Sequence, residues 1–203
     1  MKLLTALPLL AALAAAAPLA AHADDDGIDP AKAKAFDSRV FAGPVGNKAF
    51  ACFVRRYDAS HLAQHRKQRV TAIKLLVTAE NHAGEPTSYA YKAGFQLRDR
   101  SGNFDGGSSC GHETDEDGKN EIRFTCDIAC GGGGLDIAMS TDNKSAIVHL
   151  EIIGVRDRKH PKRDELTLEG GADDKVFRVD RVDNAECAEL LPGNKEFASL
   201  QRK

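Results

Sequence analysis

The alternation of Tyr89, Tyr91, Ala93, Phe95 and Leu97 against Ala90, Lys92, Gly94, Gln96 and Arg98 constrains this chain more than any other feature. Successive side chains of a strand point to opposite faces, so a sustained period of two describes a half-buried β-strand and not a helix. The same period recurs along the chain. Phe50, Cys52 and Val54 share one parity, and so do Ile73, Leu75 and Val77. Ile122, Phe124, Cys126, Ile128 and Cys130 form the next run, then Leu135, Ile137 and Met139, then Ala146, Val148, Leu150 and Ile152. Leu166 with Leu168 and Phe177 with Val179 add two shorter candidates.

Turn-rich segments separate these runs: Ser101-Gly102-Asn103, residues 115–120, Gly131 to Gly134, residues 141–144 and Gly170-Gly171. Two stretches carry helical signals, residues 59–68 and residues 184–191, the second with Asn184 as its cap and Pro192-Gly193 as its stop. About eight short strands without βαβ alternation predict an all-β, mainly antiparallel fold, a β-sandwich or barrel with one or two short helices.

Residues 1–23 read as a secretory signal peptide: Met1-Lys2, an apolar stretch from Leu3 to Ala17, and the small-x-small site Ala21-His22-Ala23 before Asp24-Asp25-Asp26. That apolar stretch is too short for a stable transmembrane anchor. A periplasmic or secreted location is therefore expected. Residues 24–46, acidic and Ala-rich, then punctuated by Gly43-Pro44, read as a flexible N-terminal arm with a short helical turn near 31–36. Residues 47–192 read as a single β domain and 193–203 as a C-terminal tail. A formal net charge of −2 excludes bulk nucleic-acid binding, which needs a basic surplus. The absence of Trp excludes a sugar-stacking platform built on that residue.

Export makes disulfides the default state of the five cysteines, Cys52, Cys110, Cys126, Cys130 and Cys187. Five is odd, so one thiol is left over. Cys126 and Cys130 cannot pair with each other in extended chain: four residues span about 13 Å, against roughly 4.4–6.8 Å between bridged Cα atoms. A hairpin centred on Gly118 sets residue 110 opposite residue 126, which favours Cys110–Cys126, with Cys110–Cys130 as the rival pairing. Cys52 and Cys187 can then tie the first strand to the C-terminal turn, leaving Cys130 unpaired. Cys110, His112, Cys126 and Cys130 also form a set able to bind zinc, but their spacing fits no finger pattern.

The remaining motifs are weak carriers of chemistry. Gly107-Ser108-Ser109-Cys110-Gly111 satisfies GxSxG with Ser109 in the nucleophile position, yet that motif works only on a strand-to-helix elbow, and a turn-rich stretch follows here. His61 and His65 stand at i, i+4 on one helix face and are weak metal-ligand candidates; HExxH is absent, and a surface histidine pair beside Arg66, Lys67 and Arg69 is the simpler reading. Residues 131–136 fit one copy of a calcium β-roll repeat that needs stacked neighbours, so a bend joining two strands is the simpler reading. Residues 115–117 read as a solvated acidic turn. The basic run from Arg156 to Arg163, broken by Pro161 and diluted by Asp157 and Asp164, reads as a solvated loop; a patch for anionic envelope polymers, formed with the cations between residues 55 and 69, is the alternative.

Cys110 followed by Phe124-Thr125-Cys126-Asp127-Ile128-Ala129-Cys130-Gly131-Gly132-Gly133 resembles a group of uncharacterised secreted bacterial β-proteins with a Cys…Cys-x3-Cys-Gly-rich core. The resemblance spans residues 50–190 and implies export without implying an activity. The expected function is a non-enzymatic, disulfide-stabilised binding or envelope module for an unknown extracellular ligand, with no cofactor. A periplasmic metal-handling protein is the alternative, and a serine hydrolase using residues 107–111 is a distant third.

Overall fold

The computed structural model describes residues 28–114, 121–127 and 133–191. Its ten strands are β1 (Lys48–Arg56), β2 (Val70–Glu80), β3 (Ser88–Leu97), β4 (Phe104–Thr114), β5 (Ile122–Asp127), β6 (Gly134–Met139), β7 (Ser145–Leu150), β8 (Ile152–Asp157), β9 (Leu166–Glu169) and β10 (Val176–Val182). Helices α1 (Pro30–Val40) and α2 (Ala59–Gln64) and a 3-10 helix (Asn184–Leu190) complete the fold.

All pairings are antiparallel, and β1 through β7 follow one another as a meander that β10 completes by pairing with both β7 and β1. Eight strands thus close into a barrel, which removes open sheet edges from the circuit. The sequence left sandwich and barrel open; the β10–β1 register, with Cys52 opposite Val182, decides for the barrel. An eight-stranded barrel is just wide enough to be filled by its own side chains. Phe53, Phe95, Phe124, Phe177, Leu75, Ile137 and Val148 fill it here, all essentially inaccessible to water.

β8 and β9 form a hairpin that leaves the circuit. β4 outruns β5, whose pairing stops at Gly111, and β8 takes over the same edge at Phe104 and Asp105. Ile153, Val155 and Leu168 from this hairpin join the main core. The expected run through Ile152 is therefore two strands. Glu151 breaks it, so that Ile153 rather than Ile152 points inward.

Strand β1 is buried on both faces. Phe50, Cys52 and Val54 do share a face, but it is the outer one, while Ala51 and Phe53 face the barrel. The outer face is dry because the 3-10 helix lies on it, packing Cys187 and Leu190 against Cys52, Val54 and Leu76. Asp183, not Asn184, caps that helix by accepting from the Ala185 amide at 3.0 Å. Asn184 instead continues the sheet, accepting from the Cys52 amide at 3.1 Å and donating to the Phe50 carbonyl at 3.2 Å.

The expected flexible arm is corrected by α1. Asp29 caps it, its side chain accepting from the Ala31 amide at 2.8 Å, with Pro30 in the first turn where its missing N–H costs nothing. Phe36 and Val40 are buried and add to the barrel core. The sequence shows only a short turn of this helix, near residues 31–36, because only Phe36, Val40 and a polar Asp37 carry its buried face, too few to show a 3.6 period over its full length. Its C-terminal carbonyls are held by Arg181, which donates to the Val40 and Arg39 carbonyls at 2.7 Å each and lies over the Phe53 ring. A cation at this end satisfies orphan carbonyls and complements the helix dipole. Arg181→Met is expected to lower the unfolding free energy by about 2 kcal/mol, with faster amide exchange in residues 36–41. An unchanged urea midpoint would count against this role.

Candidate functional site

The barrel interior is filled, so the binding space lies outside it. A cleft of about 910 Å³ opens on the outer face of β3 and β4. One wall is β8 with the turn after it, contributing Arg156, Arg158 and Pro161; the other is the end of the 3-10 helix, contributing Glu189 and Leu190. A second space of about 280 Å³ adjoins it over β1 and β2, with Arg158 and Glu189 common to both.

Glycine makes the floor. A Cβ on Gly94 would come within 2.9 Å of the Leu190 side chain and 3.0 Å of the Arg158 guanidinium. A Cβ on Gly107 would lie 2.7 Å from the Tyr91 carbonyl oxygen. Glycine inside a strand marks such close approaches: at Gly94 it lets the walls settle low over the sheet, and at Gly107 it relieves contact with the neighbouring strand β3.

The walls are fastened by ion pairs. Arg158 donates to both oxygens of Asp105 at 2.7 and 2.8 Å, the two-pronged geometry that fixes orientation as well as charge. Lys74 lies 2.6 Å from Glu189, and Arg158 reaches Glu189 at 4.0 Å, so β2, the 3-10 helix, β8 and β4 share one network. Burial pushes the Glu189 carboxyl up, but the Lys74 hydrogen bond and the nearby cations bring it below the usual glutamate range. The hydrogen bond to Asp105 holds the Arg158 guanidinium more firmly protonated, against a smaller opposing effect of burial. Arg156 pairs with Glu165 at 3.1 Å. Lys92, half-buried on the floor, has no ion-pair or hydrogen-bond partner among the described residues.

The sequence-predicted site residues fall elsewhere. Ser109 is exposed in the middle of β4, opposite Ala90 on β3, so no elbow presents it; Ser108 donates its hydroxyl to the Asp127 carbonyl. His149 lies on β7 opposite Asp136 of β6, and His160 is held by Asp157 at 3.0 Å. His61 and His65 do meet, but as stacked rings with centroids 4.2 Å apart, and Tyr57 stacks on His61 at 4.5 Å. His61 Nε2 is engaged by Gln68 at 2.9 Å, and no group of three or more potential metal ligands assembles among the described residues.

Most arginines of the alternative basic patch have acidic partners, which weakens that reading. Arg156 and Arg158 are paired as above, Arg163 approaches Asp157 at 3.8 Å, and Arg55, Arg56 and Arg69 have acidic partners at 3.3–3.6 Å. Disulfides join Cys110 to Cys126 and Cys52 to Cys187. Residue 130, residues 115–117 and the first half of the glycine run lie outside the described residues. Four acidic residues, Glu113, Asp127, Asp136 and Glu151, line a smaller pocket with Arg123, which lies 3.8 Å from Glu113. The Arg123 Nε is 3.4 Å from Asp136 without making a hydrogen bond.

A buried polar cluster closes the α1 end of the barrel. Asp37 accepts from the Tyr89 hydroxyl at 2.7 Å and lies 2.8 Å from His112 Nε2, under the rings of Phe36 and Phe124. Burial, then the hydrogen bond and charge of Asp37, drives the Tyr89 phenol far above its ordinary value of 10. Burial alone pushes Tyr91 up to about 12, and Tyr57 is raised too, mainly by burial. These are all three tyrosines of the chain. The folded state holds phenolic protons that the unfolded chain releases near pH 10. Their stabilisation is full below that pH and is lost as pH rises through the folded values. Phenolate absorbance at 295 nm from Tyr89 and Tyr91 should therefore appear only well above pH 10, together with unfolding, with Tyr57 displaced in the same direction; titration of Tyr89 or Tyr91 near pH 10 in folded protein would contradict this.

Comparison with protein-family models, with curated proteins and with solved structures found no match for this chain.

Proposed function

We propose that this chain is an exported, disulfide-stabilised β-barrel module that binds a ligand, without turning it over, in the cleft between β8 and the 3-10 helix. The observation that carries the reading is the fastening of that cleft. Its 3-10 wall is tied covalently through Cys187 to β1 and by Glu189 to Lys74 and Arg158. A wall immobilised before binding loses little conformational freedom when a ligand arrives, which is how preorganisation raises affinity. Placement of the ligand outside the barrel follows from the filled interior. Among the described residues Val176 is the one large apolar side chain that stands exposed, so the surface offers no broad greasy patch for a protein partner.

Export is part of the same proposal. The leader-like residues 1–23 and the two disulfides support it, and no helix among the described residues is long and apolar enough to cross a membrane. Expression of residues 1–203 in a bacterial host should give protein in the periplasmic or culture fraction, with a mass that corresponds to a chain starting at Asp24.

The binding reading is tested by titrating isotopically labelled protein with a library of small polar and charged fragments. Shift perturbations should cluster at Lys92, Gly94, Asp105, Gly107, Gly154 and Leu190. Perturbations confined to other surfaces, or none at all, would overturn the assignment of the cleft.

A further inference from the structure

We infer that the cleft takes an organic anion, a carboxylate or phosphate ester with a short apolar body, whose charged group is held by Lys92. This rests on the cleft being the binding site and names the class of ligand.

Charge pairing within the cleft carries the inference. Asp105 is matched by Arg158, Glu165 by Arg156 and Glu189 by Lys74, so each wall carboxylate already has its cation. Of the three cations that line the cleft, Lys92 is the one without an ion-pair partner among the described residues, and its half-buried position denies it part of its hydration. A partly desolvated ammonium beside paired, mutually neutralised groups attracts an incoming anion more strongly than a fully hydrated one, because the effective dielectric falls. A cationic ligand would meet no free carboxylate there. The apolar body has its own place: Leu190, Leu191 and Pro161 line the same cleft as the lysine. The cleft volume of about 910 Å³ admits a ligand of that size without rearranging the walls.

Calorimetric titration of the purified full chain with octanoate and with octyl phosphate tests this. Both should bind, and Lys92→Met should weaken them about tenfold while Lys92→Arg stays within about threefold of wild type. Thermal midpoints of the two variants, measured alongside, confirm that they are folded. Inorganic phosphate and 1-octanol, each carrying half of the recognised chemistry, should bind at least tenfold more weakly than octyl phosphate. Sedimentation with vesicles of anionic phospholipid separates two sources of the same headgroup. Lys92-dependent sedimentation assigns a membrane lipid, and octanoate binding without sedimentation assigns a free metabolite; either supports the inference. Equal affinity in wild type and Lys92→Met, or 1-octanol binding as well as octanoate, overturns it. If neutral or cationic fragments perturb the cleft amides while the anions do not, the anion assignment falls and the cleft stands. If nothing perturbs those amides, both fall.

Discussion

Replacing Cys52 and Cys187 together by alanine is expected to cost about 5 kcal/mol of stability, against about 3 kcal/mol for the Cys110/Cys126 pair. The bridges enclose very different lengths of chain, with sequence separations of 135 and 16. In the chain-entropy account the longer loop gives up more freedom in the unfolded ensemble, hence the ordering. Cys52 and Cys187 are also fully buried between β1 and the 3-10 helix, so their removal leaves a void as well. Urea denaturation of the two double variants decides it. Equal losses, or a greater loss for Cys110/Cys126, would contradict the loop-length argument. The first variant should also loosen the cleft wall, visible as faster amide exchange at residues 187–190.

Phe124→Ala should cost about 4 kcal/mol, since a fully buried aromatic is removed from a packed barrel that cannot collapse around the gap. The ring is the hub of the α1 end: Phe36 meets it edge-on at 5.0 Å, and Tyr89 and His112 lie at 4.9 Å. Losing it removes the surface on which α1 sits. Phe36→Ala and Phe124→Ala should therefore be sub-additive by about 1 kcal/mol, and chemical denaturation of the single and double variants measures that coupling. Strict additivity would mean that α1 docks independently of β5.

Much of the barrel was legible because alternation is a local property. Tyr91, Ala93 and Phe95 point inward as their parity demands, and so do Phe124, Cys126, Leu135 and Ile137. The Cys110–Cys126 bridge was legible for the same reason, since strand register is arithmetic about a turn: Gly111 pairs with Thr125, which sets residue 110 opposite 126. β4 was harder to see. Gly106, Gly107, Ser108, Ser109 and Gly111 give it almost no apolar signal; at Gly106 and Gly107 the neighbouring backbone leaves no room even for a Cβ.

The cleft left a fainter trace. Gly94 inside an otherwise regular strand hinted at something approaching closely, and Lys92 two residues earlier faces the same way. Nothing local could reveal what approaches. Arg158, Asp105, Glu189 and Lys74 come from four elements spread over more than a hundred residues, and they meet only because the barrel closes and the 3-10 helix folds back on β1. The basic run from Arg156 misled for the same reason: its arginines look solvated until their acidic partners arrive from β4 and the β8–β9 turn.

By itself, then, the sequence determined the strand class, the inward faces of most strands and the cross-strand cysteine pair, because each depends on a two-residue period or on distance from a turn. Tertiary structure decided that the sheet closes into a barrel and that α1 is packed rather than free. It also decided that both faces of β1 are dry, and that one lysine in a cleft of paired charges has no partner among the described residues. Those outcomes depend on contacts between residues far apart in the chain, and a local pattern carries no information about which distant group will be brought to it.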